Sequence, residues 1–222
     1  MIIVLAALLV SFFVKSYLIR SFYIPSGSME NTLQINDRII VNELVPSAVG
    51  LKHGDVIVFK DPGGWLKPED AHVNEPTSTF GKVSNWIKNT IGVGGTDEND
   101  HLVKRVIGLP GDHVKCCNAL GQMSINGIPL HEPYVHNSDG GTEASKETFS
   151  VTVPEGNVWV MGDHRDASAD SRFHEDLSSH GFVPESDIVG RAVVISWPFD
   201  RWQYLSDFSD VYAGVDDRNS TK

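Results

Sequence analysis

The chain has 222 residues and a formal net charge of −11 at pH 7, from 18 Lys and Arg against 29 Asp and Glu. This acidity argues against nucleic acid as a partner and against attraction to anionic lipid, because both rely on Lys and Arg. A hydrophobic content of 41% is enough for an ordinary core in one domain with an appendage.

The N-terminal segment predicts a membrane anchor. Residues 1–14 are apolar except for Ser11, and Lys15 and Arg20 follow. If these two side chains snorkel, a helix over residues 1–22 reaches roughly 33 Å at about 1.5 Å per residue, which matches the hydrocarbon core. A cleaved secretory signal is the alternative, but neither a basic n-region nor an A-x-A site accompanies the apolar run. We therefore predict one transmembrane helix.

The rest of the chain predicts a β fold. Six Val- and Ile-rich runs separated by turn residues are typical of strands: 38–44, 55–59, 102–107, 149–153, 157–161 and 188–196. Asn126-Gly127 predicts a type I′ turn in a small hairpin over 124–130. No helical pattern long enough to connect parallel strands lies between these runs. We therefore predict an all-β, mainly antiparallel domain over residues 23–205.

Two segments depart from this pattern. Residues 61–100 predict a peripheral insertion, in which apolar residues recur at helical spacing and indicate a short amphipathic helix over 80–91. Such a helix would cap the core or, alternatively, contact a membrane surface. Residues 206–222 are rich in Asp and predict a disordered tail.

The two cysteines, Cys116 and Cys117, are adjacent and cannot link distant segments. Two free thiols and a vicinal disulfide are both compatible with this spacing. No His or Cys lies at zinc-like spacing around them, and we expect no metal and no cofactor.

Ser28 lies in a loop just after the predicted anchor, between the turn residues Pro25 and Gly27 and the apolar Met29. Alone, a serine in such a loop is most often a turn or cap residue. A catalytic role for Ser28 is indicated only when two further segments are considered with it.

Lys104 is the first of these. Strand alternation puts it on the same face as Leu102 and Val106, so it is predicted to be buried. Lowering the pKa of a lysine from about 10.4 to about 8 costs roughly 3 kcal/mol, and the neutral amine is then a usable base near pH 8. Arg105 alternates to the other face and is expected to be solvated. A lysine at a sheet edge, or in a structural ion pair, is the alternative.

Residues 161–172 form the second segment, a polar loop that follows a hydrophobic run. Its side chains suggest a hydrogen bond from Ser168 to the Lys104 amine and an ion pair between Asp170 and Arg172. A polar loop without a catalytic role is the alternative.

Together these segments closely resemble the type I signal peptidases, which remove leader peptides from exported preproteins. The resemblance rests on P-S-G-S-M at 25–29, K-R-V-I-G-L-P-G-D at 104–112, G-D-x-R-D-x-S-x-D-S-R at 162–172 and G-D-V-I-V-F at 54–59. It extends from the anchor to about Trp197 and is interrupted by residues 61–100. His164 stands where many relatives have Asn.

The resemblance implies a role for each matched residue. Ser28 would be the nucleophile and Lys104 the general base. Ser28 N–H and the Ser26 hydroxyl would form the oxyanion hole. Ser168 would orient Lys104, supported by the salt bridge of Asp170 with Arg172. Shallow apolar substrate pockets that accept alanine would be lined by Phe22, Ile24, Leu33 and Val103.

The same resemblance implies partners and location. The substrates would be exported preproteins, the anchor would contact membrane lipid, and the catalytic domain would lie on the extracytoplasmic face. The positive-inside rule applied to Lys15 and Arg20 favours the opposite orientation. The two expectations conflict, and either a late start of the sequence or a missing cytoplasmic tail would reconcile them.

Three rival functions are weaker. A His-based triad lacks a G-x-S-x-G elbow, although the chain has nine His. A self-cleaving repressor protease with a Ser-Lys pair should carry a DNA-binding helix-turn-helix where this chain has an apolar segment. A membrane-tethered binding module would not cleave a preprotein, whereas a peptidase with Ser28 intact would.

Overall fold

The structure is a computed structural model that describes residues 18–66 and 100–219. Most of the predicted anchor and the predicted helix at 80–91 lie outside these residues. Within the two described ranges, no helix has both the length and the apolar character needed to cross a membrane.

Twelve strands follow one another along the described chain: β1 (Ile19–Tyr23), β2 (Arg38–Asn42), β3 (Val56–Lys60), β4 (His101–Gly108), β5 (His113–Cys116), β6 (Ser124–Ile125), β7 (Ile128–Pro129), β8 (Phe149–Thr152), β9 (Asn157–Met161), β10 (Val183–Pro184), β11 (Ile188–Trp197) and β12 (Gln203–Tyr204). The larger sheet has the order β1-β2-β11-β3-β4-β9-β10, with β12 paired to β11. The smaller sheet has the order β7-β6-β5-β8.

All the pairs between these named strands are antiparallel, which confirms the predicted sheet type. The six runs predicted as strands correspond to β2, β3, β4, β8, β9 and β11. The hairpin prediction is also confirmed, since Asn126 and Gly127 have φ values of 52° and 79° between β6 and β7. Strand alternation and the Asn-Gly turn are local features of the sequence, which is why both could be predicted from it.

The anchor boundary is wrong at its C-terminal end. Residues 19–22 belong to β1, which pairs along its length with β2. Phe22 is buried in the core, whereas the strand neighbours on either side of it are exposed. The backbone pairing of all five residues with β2 is incompatible with a membrane helix over the same residues.

The prediction of a disordered tail from residue 206 is wrong as well. Helix α1 (Ser209–Asn219) follows the last strand. Its residues Tyr212 and Val215, three apart on one helical face, are fully buried against the core below the smaller sheet. Two anchoring side chains outweigh the polar composition of the segment.

Arg105 is buried too, which contradicts its expected solvation. Residues 104–108 of β4 are all buried, because β4 is a central strand covered on both faces. Lys104 and Arg105 therefore both enter the interior, from opposite faces of the same strand.

Cys116 and Cys117 form a vicinal disulfide at the end of β5. This is one of the two alternatives that the spacing left open.

Candidate active site

The Ser28 loop, defined here as residues 24–37, connects β1 to β2. Its two ends are joined by backbone hydrogen bonds, from Ile24 N to Asp37 O at 2.9 Å and from Asn36 N to Ile24 O at 2.9 Å. Met29 and Leu33 are buried beneath it, with exposed fractions of 1% and 0%. A closed neck and two apolar side chains hold the loop against the sheet, while Ser28 remains half-buried at its surface.

Lys104 reaches this loop from β4. Its Nζ donates a hydrogen bond to Ser28 Oγ at 2.8 Å and another to the Val103 carbonyl oxygen at 3.1 Å. The side chain is nearly inaccessible, because Lys104 lies in the centre of the larger sheet opposite Ile57 on β3. The structure therefore brings together the two residues that were predicted as nucleophile and base.

Burial lowers the pKa of Lys104 to about 8. The charges of Asp170 and Asp163 oppose this shift, and that of Arg172 adds to it. A buried ammonium lacks the hydration that it has in water, and no carboxylate of residues 18–66 and 100–219 is in direct contact to replace it. The amine is therefore half neutral near pH 8 and can accept a proton from the serine hydroxyl.

Asp170 and Arg172 form the expected ion pair behind the site. Arg172 donates to both carboxylate oxygens, from Nε at 2.8 Å and from the second terminal nitrogen at 2.7 Å. Burial raises the pKa of Asp170, but the hydrogen bonds and charge of Arg172, together with the Gly162 N–H at 2.9 Å, lower it overall. The pair and the Gly162 N–H thus fix the end of the 162–172 loop to its start, next to β9.

A second buried ion pair was missed by the sequence analysis. Arg105 donates to Asp163 Oδ1 at 2.8 Å and to Oδ2 at 2.6 Å, and both side chains are fully buried. Thr32 of the Ser28 loop also donates to Asp163. Arg105 lies over the ring of Tyr134 at 4.2 Å. Asp163 therefore connects β4, the polar loop and the Ser28 loop. Its only signal in the sequence was its place in the motif at 162–172.

The backbone of Ser28 is held in place by Gly162 and His164. A side chain at Gly162 would overlap the Ser28 carbonyl oxygen and Ser168, so only glycine allows this approach. The His164 N–H donates to the Ser28 carbonyl oxygen at 3.2 Å. Neither residue had been given a role from the sequence.

Two other predicted site residues are placed less tightly. Ser26 Oγ lies 3.5 Å from Ser28 Oγ, so the two hydroxyls are neighbours. Ser168 Oγ is buried, and it is the Asp170 carboxylate, whose pKa it helps to lower, that lies beside it. The expected hydrogen bond to Lys104 is not formed, because Lys104 Nζ faces Ser28 and Val103 instead.

The four predicted pocket residues lie in one apolar cluster. Phe22, Ile24 and Leu33 are buried in it, with exposed fractions of 5% or less, and the half-buried Val103 packs against it. The cluster packs the Ser28 loop against the larger sheet.

A serine hydroxyl that is hydrogen-bonded to a buried amine of lowered pKa is the arrangement of a serine hydrolase with a lysine base. The sequence model described as signal peptidase, peptidase S26 matches residues 1–197. The chain therefore belongs to the signal peptidase family, peptidase S26, whose members are serine endopeptidases.

Named relatives agree. The chain is 38% identical over 216 residues to the signal peptidase I of Mycobacterium tuberculosis strain H37Rv, covering 88% of this chain and 71% of that one. It is 31% identical to the probable signal peptidase I-2 of Synechocystis, covering 90% and 73%. A solved signal peptidase I from Enterococcus faecalis has a TM-score of 0.38 and 24% identity, covering 64% of this chain and 95% of that one, a likeness too distant to add weight.

Proposed function

We propose that this chain is a membrane-bound endopeptidase that removes N-terminal signal peptides from exported preproteins. The observation that carries the proposal is the 2.8 Å hydrogen bond between Ser28 Oγ and the buried Lys104 amine. The names of the relatives supply the substrate class.

The proposed reaction begins when neutral Lys104 accepts the Ser28 hydroxyl proton. Ser28 Oγ forms a bond to the scissile carbonyl carbon, and the carbonyl π electrons move to its oxygen. That oxyanion is held by the Ser28 N–H and the Ser26 hydroxyl. The tetrahedral species then collapses, the C–N bond breaks, and the Lys104 ammonium gives its proton to the leaving amine. The products are the free mature protein and an ester between the signal peptide and Ser28.

Deacylation repeats these steps with water as the nucleophile. Lys104, again neutral, accepts a proton from water, whose oxygen attacks the ester carbon, and Ser28 regains its proton as it leaves. The leaving signal peptide ends in a carboxylate, and one water molecule is consumed.

Specificity for small residues is part of the proposal. Phe22, Ile24, Leu33 and Val103, which pack in one apolar cluster, would line the shallow pockets that receive the small side chains of the substrate. We therefore propose cleavage after an A-x-A sequence.

Cleavage of a purified preprotein by the full chain in detergent tests the function. The product should begin at the residue after the A-x-A sequence, and the Ser28→Ala variant should produce none. Cleavage by both proteins would identify a contaminant and contradict the proposal.

The pH dependence of activity follows from the pKa of about 8 for Lys104. Neutral amine is the active form, so kcat/KM should rise with pH, reaching half its plateau near pH 8. At pH 7 about a tenth of the plateau is expected, since the amine is then one pH unit below its pKa. The profile should be measured on a soluble peptide with Ala at the first and third positions before the cut, because kcat/KM reports the free enzyme. An acidic limb near pH 6 to 6.5 that a His substitution abolishes would transfer the base role to that histidine.

An exposed aromatic patch supports membrane contact near the active site. The patch consists of Trp197, Phe199, Trp202 and Tyr204, with exposed fractions of 47%, 76%, 54% and 75%. Across the sheet Trp197 pairs with Arg38, which pairs with Tyr23 at the start of the Ser28 loop. Aromatic side chains are typical of membrane interfaces. We propose that this edge rests on the outer membrane surface, where the anchor brings it.

Replacing Phe199 and Trp202 together by Ser should weaken this contact. We expect the ratio of rates on a membrane-inserted preprotein and on a soluble peptide to fall several-fold, because only the first substrate requires the enzyme at the bilayer. Leu120→Ser is the matched control, since that side chain is equally exposed, at 80%, on the smaller-sheet side. An unchanged ratio would show that the patch does not take part in membrane binding.

Protease digestion of sealed cells tests the orientation of the catalytic domain. Shielding of residues 30–200 from the protease would place that domain on the cytoplasmic face and contradict the proposal.

A further inference from the structure

A carboxylate and two imidazoles meet beside the Ser28 loop, outside the catalytic pair. One ligand atom from each of Glu30, His136 and His164 lies within 4.8 Å of the others. We propose that these three residues form a binding site for a divalent transition-metal ion, for which Zn²⁺ is the best match. The proposal does not depend on the proposed peptidase activity.

The spacing fits a tetrahedral ion. His164 Nδ1 and Glu30 Oε2 are 3.3 Å apart. Ligands about 2.0–2.1 Å from a tetrahedral Zn²⁺ stand roughly 3.3–3.4 Å from each other. The rings of His136 and His164 meet edge to face, with centroids 4.5 Å apart, which allows one nitrogen of each to point at a shared position. Two His and one Glu are an established zinc ligand set that leaves a fourth position open.

The backbone holds both imidazoles in advance. His136 and His164 form an isolated parallel bridge. This bridge consists of two hydrogen bonds, from His136 N to Asp163 O at 2.8 Å and from Arg165 N to His136 O at 2.9 Å. Because Asp163 and Arg165 are themselves buried in ion pairs, the two histidines sit on a rigid support. A preformed arrangement lowers the ordering cost of binding an ion.

His164 also has the outer partners that a metal ligand needs. Its Nε2 lies 2.9 Å from Ser138 Oγ and 3.4 Å from Asp166 Oδ1. A proton on Nε2 that is shared with these oxygens fixes the orientation of the ring and presents Nδ1 to the Glu30 carboxylate. The Gly27 carbonyl oxygen, 3.1 Å from Nδ1, faces the same space.

The ion would connect the Ser28 loop to the polar loop. Glu30 comes from the first and is partly exposed, with a side-chain exposure of 35%, so an ion can enter from solvent. The acidic chain favours cations in general. The three residues come from distant parts of the sequence, so a search for zinc-like spacing along the chain does not find them.

Calorimetric titration with ZnSO₄ tests the site, on tag-free full chain in detergent after removal of metal by a chelator. We expect one Zn²⁺ per chain. Glu30→Gln and His136→Ala should each weaken binding at least about ten-fold, because each removes one of three ligands. His131→Ala is the matched control, an exposed histidine outside the cluster, and should bind as the wild type does.

Thermal melts give a second readout that is independent of activity. At a Zn²⁺ concentration one hundred times Kd, the melting temperature of the wild type and of Ser28→Ala should rise by about 5 °C or more, and that of the two ligand variants should rise much less. Mg²⁺, which prefers oxygen ligands, should produce no such rise. Zn²⁺ binding that both ligand variants retain, or no binding to the wild type at all, would overturn the proposal.

Discussion

Replacing Ser28 or Lys104 by Ala is expected to lower kcat by about 10⁴-fold or more, since the nucleophile and its base act as a unit. The two losses should not add in the double variant, because removing either member already stops acyl transfer. The measurement is single-turnover cleavage of a preprotein and of a soluble peptide.

Lys104→Arg is the sharpest form of this prediction. Guanidinium keeps its proton at any accessible pH, so it can donate a hydrogen bond to Ser28 but cannot act as a base. The variant should be as inactive as Lys104→Ala. Lys115→Ala, at an exposed position on β5, is the matched control and should keep the wild-type rate. Substantial activity in Lys104→Arg would rule out the lysine-base mechanism.

Loss of activity at Lys104 should not reflect unfolding. At pH 7 most of the Lys104 amine is protonated in a site that has lowered its pKa to about 8, an arrangement that costs the folded state about 3 kcal/mol. Removing the amine removes that cost. Thermal melts of Lys104→Met, which keeps the apolar stem, should therefore show a stability equal to or above that of the wild type.

The burial of Lys104 could be predicted from the sequence, but that of Arg105 could not. Alternation along β4 separates the two side chains correctly onto opposite faces. It does not say whether the second face is covered. That depends on Tyr134 and on Phe208, the residue before α1, whose rings pack against the Arg105 guanidinium. Both contacts are long-range and have no local sequence signal.

The same distinction applies to the site as a whole. Ser28 and Lys104 were found because each lies in a recognisable motif, and their contact follows from the resemblance to a family. Asp163 lies in one of those motifs but its partner Thr32 lies in another loop, so only the three-dimensional structure joins them. The helix α1 was missed because its stability comes from two buried side chains, Tyr212 and Val215, and its composition is polar.

Breaking the buried pair of Arg105 and Asp163 should have the second large effect, this time on stability. Arg105→Met leaves the Asp163 carboxylate buried without its ion-pair partner. Removing one member of such a pair should lower the free energy of unfolding by about 3–5 kcal/mol. For a chain of this size, the melting temperature should fall by roughly 6–20 °C. Arg105→Lys should lower the melting temperature by a similar amount, because an ammonium cannot bind Asp163, Gly54 and Ser206 together as the guanidinium does.

A double-variant cycle separates the ion pair from simple packing. Arg105→Met combined with Asp163→Leu removes both charges, so it should be more stable than Arg105→Met alone. Lys146→Ala is the matched control, since its ion pair with Asp139 is exposed on both sides and its loss should leave the melting temperature unchanged. If the double variant loses as much as the two single variants added together, the two charges are not coupled. Because Thr32 links Asp163 to the Ser28 loop, Arg105→Met should also reduce kcat at temperatures well below its own melting point.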